Sequence, residues 1–386
     1  MNKNITNSVT YIGTDDHDIK LFESQYVVPN GMSYNSYLIK DDKCAVMDTV
    51  DSRKTDEWLV NLEQALNGRT PDYLVVQHME PDHSGSIMAA VEKYPNMKLV
   101  GNAKTFVMME QFFDIDFGDK KIVVQNGGSL ELGKHTLNFV FAPMIHWPEV
   151  MVSYDAADKI LFAADAFGKF GTLDTDEDWA CEARRYYFNI VGKYGMQVQS
   201  LLKKAAELDI AVICPLHGPI LSENLGYYID KYNTWSSYEA EDKGILVAYA
   251  SIHGNTAAAA EYFANMLREK GAEKVAVADL ARDDMAEAIE DAFRYDRMVL
   301  AAASYDAGVF PCMEDFLNRL SHKGYKKRTV GIIENGTWAP TAARAMKSIL
   351  ETMKDITVCD NTITIKSAMK DSDIPNLEKL ADELIK

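Results

Sequence analysis

The sequence lacks several features that would assign it quickly to a class. None of its five cysteines forms a C-x-x-C pair, which argues against a disulfide framework and against a built-in iron–sulfur or rubredoxin-type centre. No run of eighteen apolar residues occurs, so no transmembrane helix is expected. The first eighteen residues carry no apolar core, so they do not resemble a signal peptide. The expected location is therefore the cytoplasm.

A surplus of positive charge and two nucleotide-binding motifs are also missing. The chain has 40 Lys and Arg against 58 Asp and Glu, a net charge of −18, which disfavours nucleic acid and anionic membranes as partners. Neither G-x-x-x-x-G-K-[ST] nor G-x-G-x-x-G is present. Binding of a nucleoside triphosphate through a P-loop, or of a nicotinamide dinucleotide through the usual fingerprint, is therefore not expected.

The order of apolar segments divides the 386 residues into two parts. Up to Lys243, short strands joined by turns alternate with helices, which indicates an α/β sandwich. From Gly244 onward, five strands alternate regularly with helices, the pattern of a doubly wound parallel sheet. We therefore predict domains at 1–243 and 244–386, with the acidic stretch 239–244 as the linker.

A dense cluster of metal-binding residue types follows the apolar segment Leu74–Val76, where residues 78–83 read His-Met-Glu-Pro-Asp-His. Three further polar residues stand at the ends of other predicted strands. The candidate metal ligands are His78, Glu80, Asp82, His83, His146, Asp165 and His217. If their strands share a sheet, all seven side chains can meet at one edge.

The chemistry of these seven groups favours two metal ions over one. A lone histidine after a strand is more often a packing residue, but the spacing at 78–83 makes that interpretation poor. Three carboxylates and four imidazoles suit hard or borderline divalent ions, and they are too many for one tetrahedral zinc. A carboxylate can bridge two ions and offset their mutual repulsion, and Asp165 is our candidate for that bridge.

Three loops in the C-terminal part follow the strands that carry ligands in a doubly wound sheet. The first combines hydroxyls, a glycine and free backbone N–H groups at a helix N-terminus, which suits a monophosphate such as that of FMN. The other two each carry an aromatic residue that can cover a flavin ring. The candidate flavin-binding residues are Ser251, Ile252, His253, Gly254, Asn255 and Thr256; Ser304, Tyr305, Asp306, Ala307 and Gly308; and Asn335, Gly336, Thr337 and Trp338.

These motifs resemble the flavodiiron protein family, whose N-terminal domain has the metallo-β-lactamase fold. That superfamily usually carries His-x-His-x-Asp-His, and in the flavodiiron branch the second histidine becomes Glu, as Glu80 is here. The later ligands follow at similar intervals. The resemblance implies a metallo-β-lactamase-like αββα sandwich followed by a flavodoxin-like doubly wound sheet. It also implies two iron sites, one held by His78, Glu80 and His146, the other by Asp82, His83 and His217, with Asp165 between them.

The resemblance further implies an enzyme. A flavodiiron protein reduces dioxygen to water, nitric oxide to nitrous oxide, or both, at a non-haem diiron centre that receives electrons from FMN. It would act as a head-to-tail homodimer, or a dimer of dimers, supplied by a separate donor such as a rubredoxin. Tyr187 is the candidate proton or hydrogen-bond donor to bound oxygen. The sequence does not rank oxygen against nitric oxide.

Two other functions remain open at this stage. The first is a zinc-dependent hydrolase of the metallo-β-lactamase fold with a fused flavin module, although the oxygen ligand Glu80 argues against it. The second is a non-catalytic electron carrier that uses FMN alone. Metal analysis distinguishes the first, and loss of the metal ligands distinguishes the second.

Overall fold

A computed structural model describes residues 3–386, which form two compact units. One runs to Tyr186 and resumes over Met196–Asn233; the other comprises Tyr187–Gly195 and Thr234–Lys386. The boundary predicted between Lys243 and Gly244 stays a prediction, and it lies inside the strand Asp242–Ala250. The first two residues of the predicted N-terminal domain lie outside the described residues.

The strands of the first unit are short and numerous. In chain order they are β1 (Lys3–Asn4), β2 (Val9–Tyr11), β3 (Thr14–Asp16), β4 (Leu21–Phe22), β5 (Tyr26–Val27), β6 (Met32–Tyr34), β7 (Tyr37–Lys40), β8 (Cys44–Met47), β9 (Tyr73–Val75), β10 (Lys98–Gly101), β11 (Lys121–Val123), β12 (Ser129–Glu131), β13 (Thr136–Phe141), β14 (Met151–Asp155), β15 (Ile160–Phe162) and β16 (Val212–Cys214).

Seven α-helices accompany these strands: α1 (Thr55–Leu66), α2 (Pro81–Ser84), α3 (Ile87–Lys93), α4 (Ala103–Phe113), α5 (Trp179–Tyr186), α6 (Gly195–Ala205) and α7 (Leu225–Ser236). Short 3₁₀ segments occur at Ser52–Lys54, Gly118–Lys120 and Gly192–Tyr194, and Tyr187–Val191 forms a π-helical turn.

Two sheets form the sandwich of the first unit. The seven-stranded sheet has the order β1-β2-β7-β8-β9-β10-β11, and the five-stranded sheet has the order β12-β13-β14-β15-β16. Side chains such as Ile39 and Val75 from the first sheet share one buried cluster with Phe139 and Phe162 from the second. This apolar layer between two sheets is the driving force for the sandwich, because each sheet buries one face against the other. The predicted sandwich is confirmed.

The second unit alternates strands and helices. Its strands are β17 (Asp242–Ala250), β18 (Val275–Asp279), β19 (Tyr295–Tyr305), β20 (Gly308–Val309), β21 (Lys326–Asn335) and β22 (Lys354–Ile365). Its helices are α8 (Asn255–Glu269), α9 (Met285–Arg294), α10 (Pro311–His322), α11 (Ala342–Leu350) and α12 (Ile374–Ile385), and a 3₁₀ turn covers Asp371–Asp373.

The main sheet of this unit is parallel, with the order β18-β17-β19-β21-β22. The strand order reverses at β17, so a crevice opens between the loops that follow β17 and β19. Buried residues from the sheet and from α8 and α12, among them Val247, Phe263 and Leu380, form one core. The predicted doubly wound sheet is confirmed. Among residues 3–386, no helix combines the length and apolar character that a membrane crossing requires.

Candidate functional site

The predicted metal ligands come from both sheets of the sandwich. His78 follows β9 of the seven-stranded sheet, whereas Asp165 and His217 follow β15 and β16 of the five-stranded sheet. His83 lies on the short helix α2, which Pro81 begins. The strands therefore do not share one sheet; the loops of two packed sheets converge on one point instead.

The first group of ligand atoms consists of His78, Glu80, His146 and Asp165. Nε2 of His146 lies 2.9 Å from Oε2 of Glu80 and 3.2 Å from Oδ2 of Asp165. Nε2 of His78 lies 3.3 Å from the same Oδ2 atom and 3.4 Å from Nε2 of His146. Two imidazole nitrogens and two carboxylate oxygens thus surround one point.

The second group consists of Asp82, His83 and His217. Nε2 of His217 lies 3.1 Å from Oδ2 of Asp82, and the rings of His83 and His217 are 4.6 Å apart. Oδ1 of Asp165 completes this group, because it lies 3.1 Å from Nε2 of His83. Asp165 therefore presents one oxygen atom to each group, which is the geometry of a bridging carboxylate.

The hydrogen bonding of the ligand atoms indicates whether a cation fits among them. Both carboxylate oxygens of Asp82 and of Asp165, both ring nitrogens of His83, and Nε2 of His217 are buried without a hydrogen-bond partner among the described residues. Burying unpaired polar atoms costs free energy, and a bound cation removes that cost. The nitrogen and oxygen donors suit two iron or zinc ions. The identity of each ligand stays a prediction.

Two acceptors orient the histidines. Nδ1 of His78 lies 2.8 Å from Oε1 of Glu149, which also accepts a hydrogen bond from the backbone N–H of Met79. Nδ1 of His217 lies 2.7 Å from the carbonyl oxygen of Ser33. Each contact leaves Nε2 of the imidazole as the atom that points to the metal position. The sequence analysis missed Glu149, which no motif marks.

The contacts within the site shift the pKa values of its groups. Burial lowers the pKa of His78, but Asp165 and Glu149 outweigh burial and hold that pKa well above the usual value. Asp165 and Glu80 likewise outweigh burial and raise the pKa of His146 to about 9. Burial raises the pKa of Asp165, and the surrounding imidazoles lower it well below its ordinary range. His78, His146 and Asp165 therefore stabilise one another's charged forms.

Aromatic rings surround the centre. The ring of Tyr186 lies 5.5 Å from that of His217, and Trp147 lies 5.3 Å from His78 in an edge-on arrangement. Tyr187, the predicted proton donor, belongs to the second unit, where its ring contacts Phe188 and Trp235. The role of Tyr187 stays a prediction, whereas the rings of Tyr186 and Tyr34 both contact the candidate ligand His217.

A cavity of about 510 Å³ lies in the second unit at the carboxyl ends of its strands. All the predicted flavin-binding residues except Gly254 and Gly308 line it, and Ala303, Ala339, Thr341 and Ser367 line it as well. Its volume lies in the range of small-molecule and cofactor sites. The rings of Tyr305 and Trp338 are 46% and 90% exposed, so both can cover a planar ligand.

Hydrogen bonds connect the loops around this cavity. Gly254, with φ +91°, precedes α8 and donates its N–H to Oγ of Ser251. Oγ of Ser304 accepts the backbone N–H groups of Thr341 and Ala342 at the start of α11. The side chain of Asn335 bonds in both directions with the backbone of Ser367. These hydrogen bonds hold the loops of the cavity wall in place.

Comparisons with known proteins agree with this geometry. Residues 32–218 match the ODP family beta lactamase. An uncharacterised protein of Methanocaldococcus jannaschii is 29% identical over 95% of this chain and 94% of its own length. The anaerobic nitric oxide reductase flavorubredoxin of Vibrio vulnificus is 28% identical over 88% of this chain and 70% of its own length.

Solved structures extend the similarity to the whole fold. The rubredoxin:oxygen oxidoreductase of Desulfovibrio gigas superposes with a TM-score of 0.90 at 23% identity, covering 100% of this chain and 98% of the other. The flavodiiron protein of Giardia intestinalis gives a TM-score of 0.91 at 23% identity, covering 100% of this chain and 95% of the other. These likenesses confirm the predicted pairing of a metallo-β-lactamase-like sandwich with a flavodoxin-like domain.

Proposed function

We propose that this chain is a member of the flavodiiron protein family, an oxidoreductase that reduces dioxygen to water, nitric oxide to nitrous oxide, or both. One observation carries the proposal. The two oxygen atoms of Asp165 face two separate groups of histidines and carboxylates, as a bridging ligand of a metal pair would. The similarity to a nitric oxide reductase and to an oxygen oxidoreductase supports both substrates.

The predicted ligands form two groups, one for each metal ion. One iron would be held by His78, Glu80 and His146, the other by Asp82, His83 and His217, and Asp165 would join them. When bound, an iron pair supplies open coordination positions and exchangeable electrons. The protein contributes rigid ligands, since Glu149 and the Ser33 carbonyl fix two of the imidazoles.

The cavity of the second unit would hold FMN as the source of electrons. The N–H groups at the start of α8, beside Ser251 and Thr256, suit its phosphate. Tyr305 and Trp338 would cover its ring system. Reduction of dioxygen to water takes four electrons, and a flavin with an iron pair supplies that number.

A second cavity, of about 370 Å³, lies beside the predicted metal ligands and has several charged residues in its lining. Glu80 and Asp82 line it together with Glu23, which lies in the turn between β4 and β5. Arg53 stands in its wall and donates a hydrogen bond to the hydroxyl of Tyr34. Such a lining suits water and protons, the other participants in both reductions.

We also propose a partner and an assembly. A separate rubredoxin would donate the electrons, which the similarity to a flavorubredoxin and to a rubredoxin:oxygen oxidoreductase supports. The flavin of one copy would face the metal centre of a second copy in a head-to-tail homodimer, which the family resemblance supports. Five free cysteines are in keeping with the reducing environment of the cytoplasm. Sedimentation and rapid mixing with reduced rubredoxin test the assembly and the donor.

The decisive experiment measures both gases on one sample. Protein purified without oxygen, with its iron and flavin quantified, is reduced and then followed by oxygen and nitric oxide electrodes. We expect consumption of at least one gas, and the two rates rank the substrates. If a double variant His78→Ala, Glu80→Ala consumed both gases at the original rates, the metal centre would be dispensable and the flavin alone would account for the reaction.

Metal analysis separates the remaining alternative. Protein produced with both iron and zinc available should contain iron. Two zinc ions and no iron, together with hydrolysis of a lactam or thioester, would instead indicate a hydrolase with a fused flavin module.

A further inference from the structure

A small enclosed cavity of about 20 Å³ lies beside the candidate metal centre, between the five-stranded sheet and α6. Ala163, Ala166 and Phe167 form one wall, and Val198, Leu202 and Ala205 of α6 form the opposite wall. All its lining residues belong to the first unit. The two cavities described above, one around the flavin loops and one beside Glu80 and Asp82, have different walls.

The lining of this small cavity is apolar throughout, since none of the described residues around it turns a polar atom inward. The hydroxyl of Tyr232 is in the wall, but it accepts a hydrogen bond from the backbone N–H of Phe167. The volume exceeds the roughly 10–15 Å³ needed to hold one water, yet a buried water also needs two or more polar partners. An apolar space of this kind stays dry and accepts small apolar molecules.

The wall of the cavity is continuous with the turn that carries the bridging carboxylate. Ala163 and Ala166 flank Asp165 on both sides, and the neighbours Ala164 and Phe167 have φ of +49° and +66°. These left-handed residues turn the chain sharply at this point. The carboxylate of Asp165 contacts His78 and His83, while Ala163, Ala166 and Phe167 line the cavity. Ile145, also in the wall, directly precedes the ligand His146.

The opposite wall leads toward solvent. Val198 is buried, whereas Leu201, Leu202 and Ala205 are only half-buried on α6. On this side, the half-buried side chains between the cavity and solvent are therefore apolar.

We propose that this cavity is a binding site for a small apolar gas, and that it forms a passage from α6 to the metal centre for dioxygen or nitric oxide. The role as a passage rests on the proposed function; the gas site itself does not. The polar cavity beside Glu80 and Asp82 then serves water and protons, and the two routes separate the gaseous substrate from the other reactants.

The test enlarges a side chain of α6 so that it fills the cavity, and the same substitution at a neighbouring exposed position is the control. Ala205→Val places two extra methyl groups in the wall, while Ala206→Val makes the same change at the exposed adjacent residue. Crystals of the holoenzyme and of both variants are pressurised with xenon. The second-order rate constant for oxygen or nitric oxide with reduced holoenzyme is measured by stopped flow.

We expect xenon in the cavity of the original protein and of Ala206→Val, and none in Ala205→Val. The rate constant should fall roughly four-fold in Ala205→Val only, the factor that corresponds to one methylene-sized apolar contact. Leu201→Phe is the second filling variant if Ala205→Val does not fold.

Two results would overturn the proposal. Absence of xenon from the original protein would remove the gas site, and loss of xenon with an unchanged rate constant would remove the passage. Xenon in the cavity of a protein that consumes neither gas would contradict the proposed function and leave the gas site standing.

Discussion

Oδ1 of Asp165 lies 3.1 Å from Nε2 of His83, while the other oxygen of the same carboxylate faces His78 and His146. We expect Asp165→Asn to hold at most one metal ion per chain instead of two, because the amide lacks the negative charge that offsets repulsion between the ions. Inductively coupled plasma mass spectrometry measures the metal content. Asp176→Asn, at an exposed position, is the control.

Circular dichroism would show whether the Asp165→Asn variant keeps its fold. Two metal ions in the correctly folded variant would contradict the bridging role of Asp165.

Glu149 orients His78 without reaching the candidate metal position itself. We expect Glu149→Gln to lower the metal affinity roughly 10–100-fold, the usual loss when such an orienting carboxylate is changed. A competition titration with a metal-binding dye measures the affinity. Glu131→Gln, the same change at an exposed position in β12, provides the control. An affinity equal to that of the original protein would show that Glu149 only packs against the imidazole.

Two glycines, one before and one after helix α8, allow a matched test of the predicted flavin loop. Gly254 precedes α8 with φ +91°, Gly271 follows it with φ +92°, and neither has a heavy atom near the position of an added Cβ. Alanine at either position costs about 1–2 kcal/mol of backbone strain. We expect only Gly254→Ala to weaken FMN binding, by roughly ten-fold, because only the loop before α8 is predicted to bind the phosphate. Quenching of flavin fluorescence measures the affinity, and equal losses in both variants would contradict the predicted loop.

Asp242 gives a prediction for pH, because its carboxylate lies 2.8 Å from Lys274 and from Arg294. Burial raises the pKa of Asp242, but these two cations outweigh burial and hold it below its usual value. The stabilisation is therefore present above the unfolded pKa of about 4 and is lost as the pH falls through the folded pKa.

We expect Asp242→Asn to lower the free energy of unfolding by roughly 0.5–1 kcal/mol at pH 7, in the range of a partly exposed ion pair. The difference from the original protein should shrink below pH ~4. Urea unfolding at a series of pH values measures both effects, and a loss that does not depend on pH would assign the effect to packing instead.

Long, strongly patterned elements were predictable from the sequence. The regular alternation of strands and helices after Gly244 was predicted, because buried parallel strands and amphipathic helices such as α8 carry clear apolar periods. The strands β1 to β6, two or three residues each, were not predicted, since so short a segment carries no period. The helix α4 was also missed, although Asn102 caps it by accepting two backbone N–H groups.

Part of the candidate site was also predictable from the sequence, and part of it was not. The residues at 78–83 are close in sequence, so their proximity could be predicted directly. His146, Asp165 and His217 were connected to them by resemblance, and the structure brings all of them together. Glu149 could not have been found, because its contact with His78 depends on how the two sheets pack. No pattern in the sequence encodes that distance.

The buried, unpaired polar atoms of the predicted metal ligands affect how long the protein persists in a cell. A chain that stabilises its folded state by binding metal has a larger unfolded fraction when metal is scarce. Proteases act on that fraction, so copies without metal are degraded faster than loaded ones. Metal binding by the predicted ligands would thus make the abundance of the protein depend on the metal supply of the cell.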